Sequence, residues 1–175
     1  MSDDVHYFAF GANMARRVLV DRRGIEPIAS RAAVVREFAL RFGLRGLPYL
    51  EPAFATLVAS SGSTVHGVLH TLRRVDLERL DRIEASYDRV DVVAETSDGR
   101  FEATAYVARR LSRERIPSRR YLRLLIEGAR EHGLPEDYVA ELEARASHHL
   151  PLVSPMVAVL VDLGERALRA RKRSR

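Results

Sequence analysis

Cysteine is absent from the chain. That excludes a disulfide framework, a thiolate nucleophile and a cysteine-ligated zinc site. It suits a reducing compartment, so a cytoplasmic location is expected. Lysine is almost absent: Lys172 is the only one among 29 cationic residues. The net charge of +5 therefore rests on arginine spread along the chain, which reads as a composition bias rather than a binding device. Residues 165–175 carry six cations and one anion, and read as a solvated basic tail. No specific nucleic-acid partner is expected. Long apolar runs are missing too. The longest, residues 156–161, is far too short to span a bilayer, so no membrane association is expected. Met1-Ser2-Asp3-Asp4 offers no basic segment ahead of an apolar one, so no secretory signal is expected.

Several catalytic signatures are also lacking. Gly11 is not followed by the further glycines of a dinucleotide loop, and no Gly-Lys-Ser/Thr follows. The serines have no His and Asp companions at telling positions. His66 and His70 share a strand face without a third ligand, so no metal is expected. His148 and His149 fall in a linker. No cofactor is expected.

What is present is enough apolar residue, 46% of the chain, to build one core over 175 residues. Residues 5–10, Val-His-Tyr-Phe-Ala-Phe, read as a buried strand. Gly11-Ala12-Asn13 breaks it, and a helical pattern runs from Met14 to a C-cap at Gly24. Residues 32–44 read as strand and residues 43–52 as a Gly- and Pro-rich loop. Residues 54–59 and 65–72 read as a hairpin turning at Ser60-Ser61-Gly62-Ser63. A short helix covers residues 76–83. Residues 87–96 and 101–108 flank an Asp98-Gly99 turn, a second hairpin. Amphipathic helices follow over residues 118–132 and 136–146. Hairpin connections dominate, which predicts an α+β fold with a small mixed, barrel-like, antiparallel-rich sheet and flanking helices. Residues 1–146 form the expected domain. Residues 147–175 form a C-terminal extension ending in the basic tail, whose apolar part could mediate a homodimer.

Two segments can carry chemistry. At Phe10-Gly11-Ala12-Asn13-Met14 a strand delivers the chain to a glycine and a helix begins. Backbone N–H groups there suit a carboxylate or developing oxyanion, and Asn13 is a candidate N-cap. Taken alone, such a turn is ordinary. Glu84 follows the short helix between Ile83 and Ala85. An apolar surround would favour its neutral form and fit it to take and return a proton. Taken alone, it is a glutamate at a helix end.

Together with segments downstream these residues form a pattern. Tyr7-Phe8-Ala9-Phe10-Gly11-Ala12-Asn13-Met14 resembles the Tyr-Gly-Ser-Asn-Met/Leu loop of the γ-glutamylcyclotransferases, within the AIG2-like superfamily. Val65-His66-Gly67-Val68 and Leu80-Asp81-Arg82-Ile83-Glu84 resemble the family's Val-x-Gly-Val stretch and Leu-Asp-x-x-Glu-Gly motif. Pro117-Ser118-Arg119-Arg120-Tyr121 and the Gly128–Pro135 block, Gly-Ala-Arg-Glu-His-Gly-Leu-Pro, resemble its closing motifs. These motifs stand in the family's order over residues 5–146.

The resemblance implies a barrel-like fold and a cofactor-independent cyclisation of a small γ-glutamyl amide that releases 5-oxoproline and the free amine. It implies Glu84 as general acid/base. Phe10, Gly11, Ala12, Asn13 and Met14 would bind the substrate, with Tyr106 on a strand lining the site. Three departures bear on this. Ala12 replaces the usual serine, Phe10 a tyrosine, and Ala85 the glycine after the glutamate. The rival expectation is a small-ligand-binding protein of the same fold whose activity those changes have weakened or removed.

Overall fold

The β-branched and aromatic residues at the start of the chain form strand β1 (Asp4–Ala9), buried at Tyr7, Phe8 and Ala9. A strand that is buried this fully needs partners on both edges, and it has them. One edge pairs antiparallel with β3 (Glu51–Arg73), from Asp4 opposite Arg73 to Ala9 opposite Val68. The other meets β5 (Gly99–Ala108) in parallel, at Tyr7 opposite Thr104. With β2 (Ala29–Leu47) and β4 (Tyr87–Thr96) the order β1-β3-β2-β4-β5 closes into a barrel. This is the α+β, barrel-like, antiparallel-rich architecture expected from the connections. The computed structural model describes residues 3–47 and 51–148.

The Asp98-Gly99 hairpin forms in the expected register, Tyr87 opposite Ala108 through Thr96 opposite Gly99. The hairpin expected at Ser60–Ser63 does not. Residues on both sides of it pair with the same strand in one direction: Arg36 lies opposite Thr64 and Phe38 opposite Ala59. Ser60-Ser61-Gly62-Ser63 is therefore a bulge extruded from one long strand. The Ser60 and Ser63 hydroxyls lie 2.7 Å apart, and the Gly62 amide donates to the Glu37 carboxylate at 3.1 Å. The turn composition is real, but it caps a bulge. The loop expected over residues 43–52 is likewise shorter, because β2 continues to Leu47 and β3 begins at Glu51.

The helix expected after Met14 is also broken up. A three-residue 3-10 turn (Ala12–Met14) precedes a π-helical segment (Arg17–Arg22). The π register shows in Arg23, whose N–H reaches back to the Val18 carbonyl at 3.0 Å. Gly24 ends the segment at φ 64°, a conformation that disfavours residues with a Cβ.

Helix α1 (Arg74–Ile83) follows β3 directly, burying Leu77 and Leu80. Helix α2 (Arg119–Glu131) is capped by the Ser118 hydroxyl, which accepts from the Tyr121 N–H at 3.0 Å. Its apolar face carries Tyr121, Leu122, Leu124, Leu125 and Ala129. Helix α3 (Glu136–Ala144) is shorter than expected. Of the C-terminal extension, His148 is tied back to the start of α2, its carbonyl accepting from the Arg119 N–H at 2.8 Å. The apolar run and basic tail lie outside the described residues. Among the described residues no helix is long and apolar enough to cross a membrane.

Candidate active site

A cavity of about 580 Å³ opens where the end of β1, the π segment, the end of α1 and the face of α2 converge. Phe10, Gly11, Ala12 and Asn13 enter it from the chain after β1, Glu84 from the end of α1, and Tyr106 from β5. The residues 71 positions apart, Asn13 and Glu84, are bonded: Asn13 Nδ2 donates to Glu84 Oε1 at 3.1 Å. The same amide nitrogen donates to the Tyr7 hydroxyl at 2.8 Å. Asn13 is thus no N-cap, because its side chain is turned across the site. Its Oδ1 is buried with no hydrogen-bond partner.

Glu84 does not meet the apolar surround expected from its neighbours. Ile83 is 41% exposed, and Ala85 is exposed as well. What meets the carboxylate is the Arg23 guanidinium, which donates to Oε1 in a largely buried ion pair. Both of these donors reach the same oxygen, Oε1. The Glu84 backbone is fixed by its N–H bond to the Leu80 carbonyl at 2.7 Å, the last turn of α1.

Tyrosines wall this carboxylate. Burial and the Glu84 charge push the Tyr7 phenol well above its ordinary range, so it stays an O–H donor. Tyr87 and Tyr121 are raised for the same first reason, burial. The Tyr121 hydroxyl accepts from the Ala55 N–H at 3.1 Å, and a Cβ on Gly11 would stand 3.1 Å from it. Tyr106 lines the cavity, but its hydroxyl donates to Asp81 Oδ1 at 2.8 Å. It braces α1 one turn before Glu84 and makes no bond to Glu84 itself. Met14 does not line the cavity. It is fully buried, its backbone packs against Gly128 of α2, and its N–H bonds the Gly11 carbonyl at 3.0 Å.

Further side chains of the cavity carry no signal as site residues in the sequence. Tyr7 and Tyr121 lay within motifs that were read as patterns rather than as site residues. Arg23, Glu51 and Arg120 carried no local signal. Four arginines (Arg22, Arg23, Arg45 and Arg120) and two glutamates (Glu51 and Glu84) line the cavity, so its charge favours an anionic ligand. His66 and His70 do not converge. His66 faces the Tyr138 ring at 5.0 Å, while His70 is buried with Nδ1 2.8 Å from the Ser30 hydroxyl. Among the described residues no three His, Asp or Glu side chains are grouped to hold a metal.

The AIG2-like family pattern matches residues 64–142. The γ-glutamyl cyclotransferase gliK of Claviceps purpurea is 30% identical over 149 residues, covering 74% of this chain. The chain spans 64% of that relative's length. The γ-glutamylcyclotransferase of Bos taurus is 28% identical over 168 residues, covering 91% of this chain and 88% of its own. A solved structure of a γ-glutamyl cyclotransferase superposes with a TM-score of 0.74 at 24% identity, over 85% of this chain and 91% of that one. At that identity the likeness is one of fold. The family pattern and the curated relatives support assigning the chain to the AIG2-like, γ-glutamylcyclotransferase-like family, and the solved structure shares its barrel.

Proposed function

We propose that this protein is an enzyme that cyclises γ-glutamyl amides to 5-oxoproline and a free amine, with Glu84 as the acid/base. The observation that carries the reading is the Asn13–Glu84 contact, which brings the loop after β1 and the lone carboxylate at the end of α1 to one cavity. The names of the curated relatives support it.

The chemistry needs few parts. The substrate's own α-amino nitrogen attacks its γ-carbonyl carbon, so the reacting groups arrive already tethered. As an ammonium that nitrogen has no lone pair, and Glu84 Oε2 takes a proton from it. A ring C–N bond forms and the carbonyl oxygen becomes an oxyanion. The N–H groups of Met14 and Ala15 are already bonded to the Gly11 and Ala12 carbonyls. The amides left to face the oxyanion are those of Gly11, Ala12 and Asn13. None of these contacts needs the serine hydroxyl that Ala12 lacks. The amide C–N bond then breaks. In all, two protons leave the attacking nitrogen and reach the departing one, carried by Glu84 in turn, so the products are a neutral lactam and an ammonium. Arg23 and Asn13 hold Oε1 throughout and keep the carboxylate aimed. The excess of arginine over glutamate in the lining suits a substrate that carries carboxylates.

The test is release of 5-oxoproline from a panel of γ-glutamyl amino acids, peptides and amines by wild type and Glu84→Gln. Glutamine keeps the shape and cannot accept a proton. A loss of about 10²–10⁴ in kcat is expected, the range of general acid–base catalysis. Release that survives the substitution would remove Glu84 from the mechanism. No release by folded wild type would favour a ligand-binding protein on this fold.

A further inference from the structure

Glu51 is the second carboxylate of the cavity and is 4% exposed. It opens β3, opposite Leu47 of β2. Two donors serve one of its oxygens. Ser118 Oγ donates to Oε1 at 2.8 Å, and Arg120 Nε donates to the same oxygen at 2.8 Å. Both donors come from the start of α2, where Ser118 also caps the helix. Oε2 is buried and has no hydrogen-bond partner. A carboxylate presents about four lone-pair sites, and leaving one charged oxygen buried without a donor is costly.

The cavity therefore holds two acid–guanidinium pairs, Glu84 with Arg23 and Glu51 with Arg120. Tyr121 stands within electrostatic reach of both carboxylates. The first pair belongs to the reacting end. The second is a separate acceptor, set for an N–H that the reacting amide does not supply. Beside it in the lining is Arg45, on β2 opposite Ala53, with no carboxylate partner among the described residues. An acceptor for N–H next to a guanidinium for an anion describes one ligand fragment: a peptide N–H followed by a carboxylate. Beyond its reacting amide a γ-glutamyl amino acid offers only its own carboxylate, which a second carboxylate repels. A γ-glutamyl dipeptide offers the N–H first and the carboxylate one residue further on.

We propose that Glu51 is a specificity-determining residue whose second oxygen accepts the peptide N–H of the leaving group, so that γ-glutamyl dipeptides are preferred over γ-glutamyl amino acids. The inference rests on the cyclisation reading above and narrows its substrate class.

The test exchanges one atom of the substrate. γ-Glutamyl-alanyl-glycine is compared with the analogue in which an ester oxygen replaces the alanyl-glycine N–H. The wild type is expected to turn over the ester at least tenfold less efficiently in kcat/KM, chiefly through KM, because an acceptor then faces an acceptor. In Glu51→Gln the ratio is expected to fall close to one, since the amide NH₂ takes the place of Oε2. Equal turnover of the two compounds by wild type would overturn the proposal while leaving the cyclisation reading intact. An unchanged ratio in Glu51→Gln would overturn it as well. The substrate comparison needs no variant, so it stands even if Glu51→Gln fails to fold. Calorimetry on Glu84→Gln protein reads binding of the same two compounds without turnover. Tighter binding of the amide supports the role of Glu51 even if the reaction is another. Equal affinities, or no binding of either compound, would reject it.

Discussion

At the scale of single residues the site depends on one amide. Asn13 is 5% exposed, and its nitrogen ties the Tyr7 hydroxyl to the Glu84 carboxylate. Asn13→Ala removes both contacts while leaving the backbone turn, which is held by the Gly11 and Ala12 carbonyls. A tenfold to hundredfold loss of 5-oxoproline release is expected, from about 1.5–3 kcal/mol for a hydrogen bond to a charged group, with an unchanged circular dichroism spectrum. Asn13→Asp is expected to be worse, because a second carboxylate would then lie against Glu84. An aspartate variant more active than the alanine one would show that the amide does not act through Glu84. Glu84 and Asn13 were both legible in the sequence, since each sits in a motif. Arg23 and Glu51 were not. Their partners lie 61 and 69 positions away, in Glu84 and Arg120, and one arginine among many shows no local pattern.

At the scale of elements, the site loop takes its shape from what packs behind it. Gly128 lies in the last turn of α2, and a Cβ there would stand 2.5 Å from the Met14 Cβ and 2.6 Å from the Ala15 nitrogen. The helix and the 3-10 turn therefore touch backbone to backbone at this point. Gly128→Ala should gain helix propensity by itself. Here the overpacking is expected to win, at a cost of about 1–3 kcal/mol. Because the displaced atoms belong to the turn that carries Asn13, kcat should fall along with the denaturation midpoint. Stability that rises with activity unchanged would mean that the helix shifts away without disturbing the loop. The same scale explains where the sequence misled. Ser60-Ser61-Gly62-Ser63 has turn composition, but composition does not say whether the chain reverses after it. That depends on the pairing with β2, which continues past the bulge in one direction. The π segment was unreadable for a similar reason. Its apolar residues Val18 and Leu19 suit an α-helix equally well, and tertiary packing decides the register.

At the scale of the whole molecule, a buried histidine makes the fold sensitive to acid. His70 lies on β3 at 2% exposure, stacked on Tyr7 of β1 with ring centroids 6.0 Å apart. His132, at the end of α2, meets it edge-on at 5.8 Å and anchors the site loop by its Nε2 contact with the Met14 carbonyl at 3.1 Å. Ser30 of β2 holds His70 Nδ1, and the Asn13 backbone beside the ring works in the opposite sense to burial, favouring the protonated form. The barrel, the helix layer and the loop thus meet at one imidazole. Burial first, and then the neighbouring His132, push its pKa down to about 3 from an ordinary 6.5. The sign follows directly. The folded protein keeps His70 neutral, while the unfolded chain binds a proton once the pH drops below about 6.5. The contribution of neutral His70 is therefore complete above that pH and is lost progressively as pH falls toward 3. The slope is at most about 1.4 kcal/mol per pH unit for one proton. Replacing His70 with glutamine should lower stability at pH 8, where the ring packing and the ring's bond to Ser30 are lost. The gap to wild type should then narrow as the pH drops from 6.5 to 4.5. Urea midpoints across that range measure it. A gap that stays constant would mean that His70 is protonated in the folded state as readily as in the unfolded one, and that the acid sensitivity of the fold lies elsewhere.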